Sequence, residues 1–500
     1  MPAAKLTIDP AFTIAPVNRR TFGTFVEHMG RCVYTGIYEP GHATADEDGF
    51  RKDVLELTRE LGVSVVRYPG GNFVSGYRWE DGVGPRDERP RRLDLAWHSV
   101  ETNEFGLDEF SRWCAKAGLE PMMALNLGTR GVQEALDLLE YSNHPGGTAL
   151  SDLREQHGGS PYGIKLWCLG NELDGPWQVG HKTPTEYGRL AAETARVMRM
   201  VEPDLQLVAC GSSSSAMPLF GTWERDVLRE TYDFVDYISC HAYYSNDDGD
   251  TASFLASAVN MDRFIDAVVA TADHVGAELK SSKKIGISFD EWNVWYKDRS
   301  RRTDGPQDQW EVAPRRIEDE YNATDAVVVG NLLISLLRHS DRVGVACLAQ
   351  LANVIAPIMT EPGGPAWRQP TFHPFAITSR LAAGQVLRVQ TDSPMTTTEK
   401  YGDVAAVDAV ATYDEGRVAI FAVNRSTDGP IEVTIDVSRT GVTTIGEALI
   451  MHAEDPLATN SATDPDHVVP QQLEAVSLVD GQLTVTLPAI SWTAVSLSTD

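Results

Sequence analysis

The sequence predicts an α/β protein: a (β/α)8 barrel followed by a smaller β-sandwich. Three observations carry this. Between Asn18 and Leu381, short apolar runs alternate with amphipathic segments eight times, as in parallel strands joined by helical crossovers. The strand runs are almost continuously apolar, as strands buried on both faces are. Near Ala383 the helical period disappears, and β-rich runs broken by turns replace it.

The elements follow in order. Lys5 to Val17 holds two apolar patches split by Asp9 and Pro10, strand material outside the repeating pattern. Thr21–His28 is a strand that ends at Glu27. Phe50–Gly62 is a helix, because Val54, Leu57 and Leu61 share one face and Gly62 suits the C-terminal cap. Val63–Tyr68 is a strand entering Pro69-Gly70-Gly71-Asn72. The next pairs are Phe105–Ala117 with Pro121–Leu127, then Val132–Tyr141 with Ile164–Glu172. Thr185–Val201 precedes the strand Leu205–Cys210, and Glu224–Tyr232 precedes Val235–Tyr243. Met261–Val275 leads to Lys284–Glu291, and Ala323–His339 leads to the eighth strand, Val343–Leu351. Two long charged insertions, Trp79–Trp97 and Trp295–Tyr321, are placed to shape a cleft. The expected division is an N-terminal strand segment (1–17), a catalytic barrel (18–381) and a jelly-roll-like β-sandwich (382–500). In the sandwich, Val404–Val407, Val418–Val423, Ile431–Ile435 and Leu483–Leu487 read as strands.

Composition narrows the function. A formal net charge of -28 disfavours a nucleic-acid partner. No apolar run reaches the ~18 residues of a membrane span, and the N-terminus lacks a signal-peptide pattern. A cytoplasmic enzyme is expected, with no membrane partner. Cys32, Cys114, Cys168, Cys210, Cys240 and Cys347 form no CxxC pair, and four of them lie in apolar runs, so packing rather than disulfide bonding is expected.

The chemistry collects at strand ends, where barrel enzymes place it. Ile164–Glu172 runs apolar and stops at Asn171-Glu172; Lys284–Glu291 stops at Asp290-Glu291. Two such glutamates facing each other across a barrel mouth would form the carboxylate pair of a glycosidase. Glu27, Arg67, Asn72, Asn126, His241, Tyr243, Trp295 and Gln350 occupy comparable positions. Amides, carboxylates, an Arg and aromatic rings together suit a sugar; GxxxxGK[ST] and GxGxxG are absent. Taken singly, each residue has a plainer use. Glu172 could stabilise a helix N-terminus, Arg67 could neutralise a carboxylate, and Tyr243 and Trp295 could pack the rim. Asp290 should point away from Glu291 along a strand and is expected to be structural. A divalent metal on Glu27, His28, His241 and Glu291 is the rival use, but HExxH spacing is missing. No metal or other cofactor is expected.

Gly170-Asn171-Glu172-Leu173-Asp174-Gly175-Pro176-Trp177-Gln178 resembles the acid/base segment of the family 51 glycoside hydrolases, the α-L-arabinofuranosidases. Arg67–Asn72, Glu101–Gly106, Asp290–Tyr296, Ala349–Ile358 and Trp367–Gln369 resemble that family as well. The resemblance implies Glu172 as general acid/base and Glu291 as nucleophile of a retaining double displacement. It implies Glu27, Arg67, Asn72, Asn171, Tyr243, Trp295 and Gln350 around the sugar, with His241 beside the nucleophile. It also implies that the N-terminal strand joins the sandwich, that no cofactor is needed, and that the chain forms homo-oligomers, hexamers in many members. The expected substrate is a terminal non-reducing α-L-arabinofuranosyl unit on arabinoxylan or arabinan oligosaccharides.

Overall fold

The computed structural model describes residues 1–297 and 310–499. Residues 298–309, inside the second expected insertion, lie outside the described residues. Eight strands close a barrel: β1 (Gly23–Phe25), β2 (Val65–Tyr68), β3 (Glu120–Ala124), β4 (Leu166–Leu169), β5 (Gln206–Ala209), β6 (Tyr237–Tyr244), β7 (Gly286–Val294) and β8 (Val343–Ala349). Every neighbouring pair is parallel, and β8 returns to β1. A helix follows each strand: α1 (Lys52–Leu61), α2 (Leu107–Ala117), α3 (Val132–Asn143), α4 (Pro184–Val201), α5 (Thr222–Thr231), α6 (Ser257–Glu278), α7 (Ala323–Arg338) and α8 (Phe372–Leu381).

Local chemistry sets the helix ends. Gly62 and Gly118 end α1 and α2 in the left-handed region, at φ 75° and 76°, which glycine adopts without steric cost. Thr183 caps α4 by accepting the Glu186 N–H, with Pro184 at the first helical position. An additional helix, Ala149–His157, is capped by Thr148. All six cysteines are free and buried. Among the described residues, no helix is long and apolar enough to cross a membrane.

The N-terminal strand Ala3–Pro16 pairs antiparallel with Gln385–Asp392 and parallel with Ile431–Asp436. It thereby links the two halves of a ten-stranded sheet. Leu6, Ile420, Val433, Leu483 and Leu497, drawn from both halves, meet in one apolar cluster, so the sheet closes over its own core. The expected strand Val404–Val407 is split. Val404 belongs to a hairpin, Met395–Thr398 with Gly402–Ala405; the Ala406 N–H turns to Pro394, and the main sheet resumes at Val407–Asp414. The opposite face of that sheet presents Val410, Phe421 and Trp492 to the barrel core. Helix α7 is wedged between the two: from Ala323 to Leu337 every residue is buried. A Cβ on Gly330 would sit 2.2 Å from the Trp492 ring.

Candidate active site

The predicted residues meet at the C-terminal mouth of the barrel. Glu27 follows β1, Arg67 lies in β2, Asn171 and Glu172 follow β4, His241 and Tyr243 lie in β6, Glu291 in β7, and Gln350 follows β8. The register of β6 against β7 sets His241 beside Glu291 and Tyr243 beside Asn293. Glu172 has φ 44°, an uncommon conformation for a residue with a side chain, and one that clusters where function demands it. The bend turns its carboxyl into the mouth.

The two central carboxylates are held on both oxygens. Glu291 Oε1 accepts from Arg67 Nη1 at 2.7 Å, and Oε2 accepts from the Tyr243 hydroxyl at 2.8 Å. Arg67 spends its other terminal nitrogen on Asn171 Oδ1, at 2.7 Å. Glu172 Oε1 lies 2.9 Å from His241 Nδ1, and Oε2 accepts the Trp177 indole N–H at 2.8 Å. His241 Nε2 hydrogen-bonds Asp290 Oδ1 at 2.9 Å. Asp290 therefore does not turn away from the site, as strand alternation suggested. A register shift between Ser288 and Glu291 lets consecutive acids both reach His241, which is 3.5 Å from Glu291.

Glu27 forms a separate nest. Its Oε1 accepts from the Phe73 backbone N–H and the Trp97 indole, both at 2.9 Å; Gln350 Nε2 donates to Oε2 at 3.1 Å. A Cβ on Gly71 would lie 2.7 Å from this carboxylate, so the loop after β2 can wrap it only with glycine there.

A cavity of about 420 Å³ opens above these groups. Glu27, Asn72, Glu172, Tyr243, Glu291, Trp295 and Gln350 line it. Tyr243 and Trp295 meet edge to face, with ring centroids 5.3 Å apart. Arg67 and His241 are buried behind the lining and act on the carboxylates; Asn171, buried with them, bonds Arg67 and Asn72 instead, and Asn126 ties its own loop to the Tyr77 carbonyl. The sequence reading missed Trp97, Trp177 and Ser213 as lining residues. Trp97 is carried by a hairpin, Arg92–Asp94 with Ser99–Glu101, inside the first insertion. Trp177 stood within the Gly170–Gln178 motif, whose length was the signal.

An acid catalyst at Glu172 calls for a raised pKa. Burial alone would raise it, but the His241 hydrogen bond and charge, with the Trp177 N–H, hold it below the usual carboxylate range. Glu291 is raised by burial and by the Glu172 charge, against the pull of His241 and Arg67. Burial would lower His241, but Glu291, Asp290 and Glu172 push it up to about 10. Glu27 is pushed up to about 8, chiefly by burial. Glu172, His241 and Glu291 are close enough together to ligate one ion. Both His241 nitrogens, however, are already committed to carboxylates.

Residues 57–264 match the α-L-arabinofuranosidase 1 domain, and residues 290–491 the α-L-arabinofuranosidase C-terminal domain. An intracellular exo-α-(1→5)-L-arabinofuranosidase of Streptomyces lividans is 60% identical, over 99% of this chain and 75% of that protein. The chain belongs to the family 51 α-L-arabinofuranosidases. An exo-α-(1→6)-L-arabinofuranosidase of Bifidobacterium longum is 56% identical, over 98% of this chain and 97% of that one. The solved structure of a family 51 α-L-arabinofuranosidase from Bifidobacterium longum superposes with a TM-score of 0.95 at 51% identity, covering 99% of this chain and 100% of that chain. As a member of this family, the chain is a glycoside hydrolase.

Proposed function

We propose that the chain removes terminal non-reducing α-L-arabinofuranosyl units from oligosaccharides by a retaining, exo-acting double displacement. Glu291 is its nucleophile and Glu172 its acid/base. One observation carries this reading: a carboxylate oxygen of Glu172 lies within 4.8 Å of one of Glu291, both in one cavity. Retaining pairs are separated by about 5–5.5 Å, and inverting pairs by more because a water must fit between. The walls formed by Trp97, Trp177 and Trp295 make a pocket, which suits a chain end rather than a chain interior.

In the first step a Glu291 oxygen bonds the anomeric carbon. The bond to the leaving oxygen breaks, and that oxygen takes a proton from Glu172. In the second step Glu172 takes a proton from water, the water oxygen bonds the anomeric carbon, and Glu291 departs as carboxylate. Arg67 and Tyr243 aim Glu291 and favour its anion, against the burial and the Glu172 charge that raise it. In the unliganded site His241 is pushed up to about 10 and Glu172 is lowered, which favours the proton on His241, across a 2.9 Å hydrogen bond. His241 passes it to Glu172 Oε1, and the carboxylic acid so formed gives that proton to the departing oxygen, while Asp290 holds the neutral imidazole in the right tautomer through Nε2.

The names of the two relatives support the substrate class. The (1→5) and (1→6) linkages both leave from a primary carbon, so an unhindered leaving group of that kind is expected here. The intracellular relative supports action on short oligosaccharides in the cytoplasm.

The test is Glu172→Ala. Turnover of arabino-oligosaccharides should fall on the order of 10²–10⁴-fold, while p-nitrophenyl α-L-arabinofuranoside loses far less and azide restores it. Equal losses on both substrates, with no azide rescue, would remove Glu172 from the acid role.

A further inference from the structure

We propose that a second cavity beside the catalytic one is a subsite for a neutral pentose unit of the leaving group; the proposal rests on the arabinofuranosidase reading above. The cavity has a volume of about 130 Å³, against 420 Å³ for the catalytic one, which suits a single sugar ring. The two share walls. Asn72 lines both; Trp97 faces the catalytic cavity while its neighbour Ala96 faces the second. The loop after Glu172 does the same, with Trp177 in the first cavity and Val179 in the second. A leaving group protonated by Glu172 and passing Trp177 is thus led along one loop into the second cavity.

The chemistry of its wall fits hydroxyls. Arg78 lines the cavity and makes no side-chain hydrogen bond or ion pair among the described residues. Asp94 lines it too, its oxygens accepting from the Ala96 N–H at 2.9 Å and the Ser99 hydroxyl at 3.2 Å. The other charges are spent: Arg92 pairs with Asp81 at 2.8 Å, and Glu101 with His28 at 2.8 Å. The wall carries three carboxylates, Asp81, Asp94 and Glu101, against two guanidinium groups, Arg78 and Arg92, which suits a neutral polyol better than an anion; the net charge of -28 repels an anion as well. The Tyr77 hydroxyl and Asn103 Oδ1, both from lining residues, are buried without a partner among the described residues, leaving polar capacity unfilled beside the cavity. Leu93 and Leu95 on the hairpin are 59% and 57% exposed, offering apolar surface to the C–H face of a ring.

Gly76 supplies a clean plug. It lines the cavity, its φ lies outside the left-handed region, and a Cβ there would meet nothing within 4 Å. The experiment compares kcat/KM of wild type, Gly76→Leu and Arg78→Gln on α-1,5-arabinotriose and on p-nitrophenyl α-L-arabinofuranoside. The expected result is an about tenfold loss on arabinotriose, carried mainly by KM, with the aryl substrate within about twofold. Thermal scans verify folding, and Arg78→Gln carries the test if Gly76→Leu does not fold. Unchanged arabinotriose kinetics, or equal losses on both substrates, would overturn the subsite. A wild type that cleaves neither substrate would instead overturn the parent reading, and the subsite with it.

Discussion

Helix α7 and the barrel mouth are buried to the same degree and built on opposite terms. Along α7, Val327, Leu332 and Leu336 pack among apolar neighbours from the barrel and the sandwich, and Gly330 gives way to the Trp492 ring. At the mouth, Arg67, His241, Asp290 and Glu291 are just as hidden from water, yet each is charged or chargeable and held by the others. Burying apolar surface stabilises a fold directly, at roughly 25 cal/mol per Å². Burying ion pairs returns little, because desolvation offsets their attraction. The seam is therefore where this chain gains stability. The mouth is where it holds charges poised for the proposed chemistry.

The largest test of that contrast is Glu291→Ala. As nucleophile, its loss should lower kcat on p-nitrophenyl α-L-arabinofuranoside on the order of 10⁴-fold or more. The melting temperature should move by no more than about 1 °C, since Arg67 keeps Asn171 and Asp290 near it. Retained activity would sink the nucleophile assignment. A collapse of the fold would mean the mouth contributes to stability as the seam does.

The converse test is Gly330→Ala. Its methyl would be driven into the Trp492 ring, an overpacking that typically costs about 1–3 kcal/mol, or about 1–3 °C in a chain of this size. At temperatures where the variant is folded, kcat should match wild type. An unchanged melting temperature would show that the seam yields more readily than its packing implies. A changed kcat with an intact fold would break the separation between the two regions.

The same contrast explains what could be read in the sequence. Barrel strands announce themselves as apolar runs that stop at polar residues, and Glu172 and Glu291 stood at two such stops. Helix α7 was legible from its long apolar run, though its double burial needed the sandwich to be seen. The helix Ala149–His157 has only Leu150 and Leu153 as apolar landmarks, and no periodic stripe betrays it. Trp97 reaches Glu27 from a hairpin in an irregular insertion, a contact that no local pattern encodes. The family resemblance sets His241 beside the nucleophile, and it lies 3.5 Å from Glu291. Its burial between Glu172 and Asp290 depends on the register of β6 against β7, with its shift between Ser288 and Glu291.

The smallest expected effect concerns pH, and here the mouth should betray its cost. Glu27 is raised from 4.5 to about 8, Asp94 and Asp174 from 3.8 to about 6, and His241 from 6.5 to about 10. For each of these groups the native state binds a proton more tightly than the unfolded chain does. Between about pH 5 and pH 8 the native state therefore carries the excess protons, and stability must fall as pH rises. Glu172, Asp290 and Glu101 are lowered instead, so they act in the opposite sense, but below this window, where stability is lost as acid protonates them. Glu27→Gln removes one contributor while its carboxamide oxygen can still accept from Phe73 and Trp97. The variant's melting temperature should fall less steeply than wild type's from about pH 5 to pH 8, with the two slopes converging again toward the upper end, where native Glu27 itself ionises. Parallel profiles would mean that the nest of Phe73, Trp97 and Gln350 holds Glu27 ionised throughout, leaving the loss of stability with rising pH to His241, Asp94 and Asp174.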